Sequence, residues 1–271
     1  MTPSELSQLE TVVRTAAREE LLPRFRHTRR QEKADGSWLT EADLAMQSRL
    51  QAELAAFHPT IALLGEEMEA TEQQRLLEQA GHTTGADGGG LWVLDPLDGT
   101  SNYAAGIPMF SVSLALMRAG RIEAGIVYDP MQDESFAALR GHGATLNGEA
   151  LQTPASGMVM AKTTACIDFK RLPAPLAARI AATPPYSSQR SIGSVALDWC
   201  WVAAGRFHLY LHGRQSLWDY AAGSLILEEA GGHADTLDGQ PAALNLKPRS
   251  AVCATDPMLF EQWRHYLRAT P

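Results

Sequence analysis

The sequence predicts an α+β first half over residues 1–152 and an α/β second half over residues 153–271. Three observations point there. Apolar residues recur at helical spacing through Ser4 to Arg26 and Glu41 to Phe57. Strand-like runs between Leu91 and Leu139 are separated by tight turn signals, and beyond Thr153 short strands alternate with helical stretches. A chain of 271 residues suits one large domain or two tightly joined halves, and it carries no internal repeat and no long linker.

In order along the chain, Leu6, Leu9, Val13, Ala16 and Ala17 form the apolar stripe of a first helix that Pro3 and Ser4 can start. A basic stretch from Arg24 to Lys33, read as a solvated charge run, leads to a turn at Asp35-Gly36. Thr40 can then cap a helix from Glu41 to Phe57, with Met46, Leu50, Leu54 and Phe57 buried and Asp43 in the first turn. Ile61 to Leu64 reads as a short strand ending in Gly65-Glu66-Glu67. A Gly-rich segment, 85–90, leads into the strand Leu91 to Leu94. Ser111 to Met117, Ile122 to Tyr128 and Ser135 to Leu139 form an antiparallel meander, extended by the Asn147-Gly148 turn. The second half reads as strand Thr163 to Ile167, helices Pro173 to Ala182 and Ser194 to Ala204, strand Phe207 to Leu211, then helices Asp219 to Ala230 and Pro257 to Leu267.

Composition excludes several classes of function. Hydrophobic residues are 45% and charged residues 20%, too balanced for a disordered or low-complexity chain. Lys and Arg total 23 against 31 Asp and Glu, and the resulting net charge of -8 has the wrong sign for holding nucleic acid. An anionic substrate would therefore need a local positive charge, which a metal ion supplies. Cys166, Cys200 and Cys253 lack metal or disulfide spacing and are expected to be reduced and packed. The amino terminus lacks a signal-peptide layout and no apolar run reaches the ~20 residues that cross a bilayer, so the expected location is cytoplasmic, without a membrane partner.

The densest chemical signal is the segment from Trp92 to Tyr103, an apolar strand running into Asp95, Pro96, Leu97, Asp98, Gly99, Thr100, Ser101 and Asn102. Pro96 is expected to end the strand ladder. Two carboxylates three residues apart on a turn can converge on a hard cation, and the amides from Gly99 onward can cradle an anion. An Asp-rich turn with Ser/Thr caps is the structural alternative. Glu66 and Glu67 by themselves read as solvated strand-end residues, a weak signal for function, and Asp219, after Leu217-Trp218, reads as a helix-capping residue that can also bind metal.

Taken together in this order, Gly65-Glu66-Glu67, the 92–103 segment and Trp218-Asp219 through Gly232 resemble the inositol monophosphatase superfamily of metal-dependent phosphomonoesterases, with Ile192-Gly193-Ser194 similar to its substrate-side turn. The resemblance covers nearly the whole chain. It implies a layered α-β-α-β-α sandwich of the inositol monophosphatase/fructose-1,6-bisphosphatase type, usually a homodimer. It also implies metal ligation by Glu66, Asp95, Asp98, Asp219 and the carbonyl of Leu97, with Mg²⁺, two or three ions per site, or Mn²⁺ as the cofactor. Glu66, Thr100, Asp43 and Asp95 would be catalytic, through direct attack of a metal-activated water on phosphorus. Gly99, Thr100, Ser101, Gly193, Ser194, His212 and Arg214 would bind the substrate, a small phosphate monoester. Lys33 lies roughly where the family has an active-site lysine.

Asp95-x-x-Asp98-Gly-Thr also resembles the nucleophile motif of haloacid-dehalogenase-type phosphatases. The extra residue between the aspartates turns the first carboxylate off the face that a pair at i and i+2 would share. A non-catalytic metal-binding regulatory protein on the same fold is a further alternative, against which Thr100, Glu66 and Asp43 speak. Histidinol phosphate, fructose 1,6-bisphosphate and 3'(2'),5'-bisphosphate nucleotides remain candidate substrates beside inositol phosphates. One departure bears on that choice. Inositol-specific relatives place an acidic residue seven positions before the Trp-Asp aspartate, and here His212 stands there with Arg214 close by. The expectation is weak inositol selectivity and tolerance of a second anionic group, unless this segment is a solvated loop that touches no substrate.

Overall fold

A computed structural model of the chain describes residues 1–27, 30–32, 38–82, 89–154, 157–240 and 244–268. The first helix, α1 (Pro3–Glu20), is started by Thr2, whose hydroxyl accepts from the Glu5 amide while the Glu5 carboxylate accepts from the Thr2 amide. Its buried residues are those the spacing requires. It stops before Arg26, because Pro23 lacks an amide donor and the chain tightens into a 3₁₀ turn over Leu22–Arg24. After the antiparallel pair β1 (Arg30–Glu32) and β2 (Trp38–Thr40), Thr40 caps α2 (Glu41–Phe57), and Asp43 is the acidic partner of its capping box. Lys33, the Asp35-Gly36 turn and most of the Gly-rich 85–90 segment lie outside the described residues.

The first half then builds one seven-stranded sheet. Its strands are β3 (Ala62–Gly65), β4 (Leu91–Asp98), β5 (Ser111–Arg118), β6 (Arg121–Asp129), β7 (Glu134–Leu139), β8 (Ala144–Leu146) and β9 (Glu149–Leu151), in sequence order. β3 joins parallel to β4 across the helix α3 (Ala70–His82), and every later pair is antiparallel. Pro96 does not end the ladder as expected. β4 continues to Asp98 with a shift in register: Asp95 pairs with Ser113 and Asp98 with Ser111, so β4 holds one residue more than β5 between these pairs. That bulge accommodates the missing Pro96 amide, and it offsets the alternation that would otherwise send residues three apart to opposite faces. A short helix, α4 (Thr100–Ala105), follows directly.

The second sheet has the order β11-β10-β12-β14-β13, from β10 (Thr164–Asp168), β11 (Ser188–Arg190), β12 (Leu209–Gln215), β13 (His233–Asp235) and β14 (Arg249–Ala254). β10 is parallel to both neighbours, and β14 is antiparallel to β12 and β13. The sequence pattern does not reveal β11, β13 or β14: the first two are three residues long and largely polar, and β14 is apolar only in its last four. The helices here are α5 (Ala174–Ala182), α6 (Val195–Ala203), α7 (Leu217–Glu229) and α8 (Pro257–Arg268).

Three cores separate five layers. One face of the first sheet, with Leu94, Leu114, Ile126 and Tyr128, packs against α1 and α2. Its other face, with Val93, Ala115, Val127 and Phe136, packs against α6 and α7, whose far sides meet Cys166, Tyr210 and Cys253 of the second sheet. Ile167, Leu211 and Val252 on the outer face of that sheet bury Ile180 of α5 and Trp263 of α8. The result is an α-β-α-β-α sandwich. Lying between two sheets, α6 and α7 are apolar almost all round. Close approach is built in, since a Cβ at Gly125 of β6 would lie 2.8 Å from the Ala222 carbonyl of α7. The three cysteines are free and buried.

Candidate active site

The site forms where β3, β4 and α7 end or begin together. Gly65 pairs with Leu94, and the Glu66 amide donates to the Leu94 carbonyl (3.1 Å), which sets Glu66 beside Asp95. The β4 bulge carries Asp95, Leu97 and Asp98. Ser113 Oγ donates to the Trp218 carbonyl (2.9 Å) and so ties the first turn of α7, with Asp219, to β5. Ser216 caps α7, and Asp219 accepts from its amide (2.8 Å) as the acidic member of a capping box, which refines the expected capping role. Glu66, Asp95, Asp98, Thr100 and Asp219 thus line one cleft of about 370 Å³. A larger cavity, about 530 Å³, follows the Tyr220, Ser224 and Leu227 face of α7 and contains none of these residues.

Charge defines the cleft. Burial raises the Asp95 carboxyl well above the ordinary range, and the charges of Glu66, Asp98 and Asp219 add to that. Asp219 is raised by burial and by Asp98 and Glu66. Burial lifts Asp98 to about 6, against hydrogen bonds that favour its charged form. Those bonds come from the Ser194 hydroxyl and the Ala196 (2.9 Å) and Val195 (3.1 Å) amides at the start of α6, and from Ser111 Oγ (3.2 Å). Among the described residues no Lys or Arg is ion-paired with Asp95, Asp98 or Asp219. Uncompensated buried carboxylates are costly, and a hard divalent cation is the partner that an all-oxygen set selects. As they stand, no three described acidic, His or Cys side chains close around a point as a finished metal cage would. Asp95 uses one oxygen on the Leu97 amide (3.0 Å) and Asp219 one on Ser216, so each keeps its other oxygen for a cation. The donor set fits Mg²⁺.

Gly99 connects this acidic wall to α4. Its φ is +90°, and a Cβ there would lie 3.0 Å from the Met109 carbonyl and 3.2 Å from that of Gly193. Thr100 Oγ1 lies 2.8 Å from the Leu97 carbonyl and 3.2 Å from Asp43 Oδ1, while Asp43 Oδ2 accepts from the amide and hydroxyl of Thr40. Asp43 is fully buried and reaches the cleft through Thr100.

Two expected substrate contacts, Ser194 and His212, differ in detail. Gly193 and Ser101 line the cleft, but Ser194 is fully buried with its hydroxyl on Asp98, and it positions that carboxylate instead of meeting a ligand. Arg214 also lines the cleft. His212 does so too, with both ring nitrogens engaged: Nδ1 accepts from the Arg214 amide (3.1 Å), and Nε2 lies 3.1 Å from Asp168 Oδ2. It has no free lone pair to offer a substrate. Spacing along the chain does not single out Asp168, Lys170, Arg171 and Asp198 in the cleft wall, nor does it assign a role to Asn102, whose Nδ2 bridges the Met109 (2.7 Å) and Ile192 (2.8 Å) carbonyls. Asn102 sits inside the Asp-rich segment and was visible there. Asp168 had no motif to reveal it.

A model of the inositol monophosphatase family matches residues 3–269. The chain belongs to that family. Inositol monophosphatase family members are metal-dependent phosphomonoesterases. The chain is 33% identical over 221 residues to an inositol-1-monophosphatase of Mesorhizobium japonicum, covering 76% of this chain and 75% of that protein. It is 40% identical over 161 residues to the Nus factor SuhB of Pasteurella multocida, covering 58% of this chain and 60% of that one. The crystal structure of an IMPase/NADP phosphatase complexed with Mg²⁺ and phosphate superposes with a TM-score of 0.82 at 23% identity, over 98% of this chain and 97% of that one, and shares its fold. No described helix is long and apolar enough to cross a membrane.

Proposed function

We propose that this chain hydrolyses a small phosphate monoester with Mg²⁺, as an inositol monophosphatase-like enzyme. The observation that carries the reading is a set of three carboxylates, buried Asp95 and Asp98 and half-buried Asp219, that lack a cationic partner among the described residues and share a cleft with Thr100 and left-handed Gly99. Bound there, two or three Mg²⁺ ions would supply Lewis acidity to the phosphate and lower the pKa of a water molecule. Glu66, Asp95, Asp98, Asp219 and the Leu97 carbonyl would hold them, and Mn²⁺ suits the same oxygen donors.

The chain's own groups do the rest. With Asp43 Oδ2 fixed by Thr40, Oδ1 faces Thr100, and the Thr100 proton goes either to it or to the Leu97 carbonyl. Either bond turns the lone pairs of Thr100 Oγ1 to orient the attacking water, and Glu66 beside it helps take the proton. The amides of Gly99 and Thr100, with the Ser101 hydroxyl, hold phosphate oxygens. Gly193 shapes the wall above Gly99, clamped through Asn102. A homodimer in the cytoplasm goes with this reading on the strength of kinship, and the net charge of -8 supports a small-molecule partner over nucleic acid.

The test is Mg²⁺-dependent phosphate release from inositol 1-phosphate, histidinol phosphate, fructose 1,6-bisphosphate and 3'-phosphoadenosine 5'-phosphate, followed by single turnover in ¹⁸O-labelled water. Label should enter phosphate without a phosphorylated aspartate. Trapping phosphate on Asp95 would instead assign the nucleophilic mechanism of the haloacid-dehalogenase class.

A further inference from the structure

Next to the acidic end of the cleft, the two central strands of the second sheet build a feature that the hydrolytic machinery does not use. Asp168 ends β10 in register with His212 of β12, and both residues line the cleft. Because His212 Nδ1 accepts from the Arg214 amide, the ring is the neutral tautomer with its proton on Nε2, and it donates that proton to Asp168 Oδ2. The Lys170 amide donates to Asp168 Oδ1 at 2.8 Å. His212 is 4% exposed, so this arm is fixed by packing, while the Asp168 side chain keeps 28% of its surface open. The backbone around the pair is locked as well: β12 shifts register between His212 and Gln215, and a Cβ at Gly213 would lie 1.8 Å from the Arg171 carbonyl.

Asp168 is therefore a preorganised acceptor. Each oxygen holds one donor from the protein and retains lone-pair capacity for another. The His212 hydrogen bond holds its carboxyl below the usual range, helped by the Lys170 amide and the Arg171 charge against partial burial, so it stays ionised at neutral pH. Lys170, Arg171 and Arg214 line the same cleft, as do Asp198 and the metal-site carboxylates, and none of the three cations has a side-chain ion pair among the described residues. The Arg171 charge already acts on Asp168, and a hydroxyl, which brings no charge of its own, is a donor that Asp168 can take beside it.

We propose that Asp168 selects the alcohol part of the substrate by accepting hydrogen bonds from hydroxyls of a polyol phosphate, with His212 as its positioning residue. The inference rests on the phosphomonoesterase reading and names its substrate class. It reverses the expectation of weak polyol selectivity drawn from position 212, because the carboxylate comes from the neighbouring strand.

The test compares kcat and KM of the full chain with Mg²⁺ on inositol 1-phosphate, histidinol phosphate and p-nitrophenyl phosphate, which offers no donor. Wild type should favour inositol 1-phosphate over histidinol phosphate. Asp168→Asn retains the size and the turn-capping oxygen, and should lower the kcat/KM ratio of inositol 1-phosphate to p-nitrophenyl phosphate by about tenfold to a hundredfold, chiefly through KM. Asp168→Glu provides a second variant should Asn disturb the turn, and should recover part of the ratio. His212→Ala should lower the ratio like Asp168→Asn, His212→Gln should restore part of it, and the double variant Asp168→Asn/His212→Ala should be no worse than either single one. A ratio that moves less than threefold in Asp168→Asn overturns the inference, as does additivity in the double variant. A loss confined to histidinol phosphate would identify an ammonium as the donor and overturn the polyol assignment. Wild type inactive on every ester would remove the hydrolase reading, and the inference with it.

Discussion

Replacing Asp95 with Asn separates the metal's contribution to stability from that of the fold. Asp95 is buried, its carboxyl is raised by burial and by Glu66, Asp98 and Asp219, and one oxygen accepts from the Leu97 amide. Asparagine retains that acceptor and removes the charge, so the metal-free variant should melt at the same temperature as wild type or above it. Mg²⁺ at a hundred times its Kd stabilises a protein by about 2.7 kcal/mol. At roughly 2–4 °C per kcal/mol for a chain of this size, that is a rise of about 5–11 °C for wild type. The variant should lose most of the rise, because a neutral amide at a shared position binds Mg²⁺ poorly, and it should lose most of its turnover. Paired thermal melts with EDTA and with excess Mg²⁺, together with phosphate release at saturating Mg²⁺, measure all three quantities. A full Mg²⁺ shift, or turnover within threefold of wild type, would refute the assignment of Asp95 as a ligand.

Gly99→Ala should destabilise the chain by about 1–3 kcal/mol in urea unfolding and abolish most activity, since φ of +90° is strained for alanine and its Cβ meets backbone that cannot yield. An unchanged unfolding midpoint would contradict that geometry. Gly125→Ala should push α7 off β6 at Ala222 and weaken Mg²⁺ binding through Asp219, at a similar cost in stability; equal Mg²⁺ titrations of variant and wild type would show that α7 does not transmit the shift. The raised Asp98 carboxyl gives a pH signature. With a folded value of about 6 above an unfolded one near 3.9, the folded state binds more protons between them, so this contribution to metal-free stability is present below about pH 4 and is lost as pH rises through 6. Melts at pH 4.5, 5.5 and 7.5 should show the Mg²⁺-induced gain widening with pH, and a gain constant with pH would count against protons and metal competing for these oxygens.

Local rules reach far in this chain. The apolar stripe of α1, the Thr40 cap, the meander from β5 to β7 and the Asn147-Gly148 turn follow from spacing and turn chemistry that involve only neighbours in sequence. The motif from Trp92 to Tyr103 disclosed Asp95, Asp98, Gly99 and Thr100 because the bulge that turns both aspartates to one side lies within it. Helix ends and short strands were less legible, as at Glu20, where a proline three residues further on stopped α1, and at β11 and β13, which exist only because a longer neighbour supplies their ladder.

Sequence by itself determined which carboxylates are the candidates for the chemistry and which family the chain resembles, since both are read from residue identity and spacing within short segments. Tertiary structure alone decided how they are used. Ser194 and Asp98 are 96 residues apart, and it is the start of α6 that turns the serine hydroxyl inward onto the carboxylate. His212 and Asp168 are 44 residues apart and meet only because β10 and β12 run parallel side by side, so that a histidine read as a substitute for a missing acid instead presents one. Pairing across a sheet depends on register between segments that share no local pattern, and no spacing rule along a single segment encodes it.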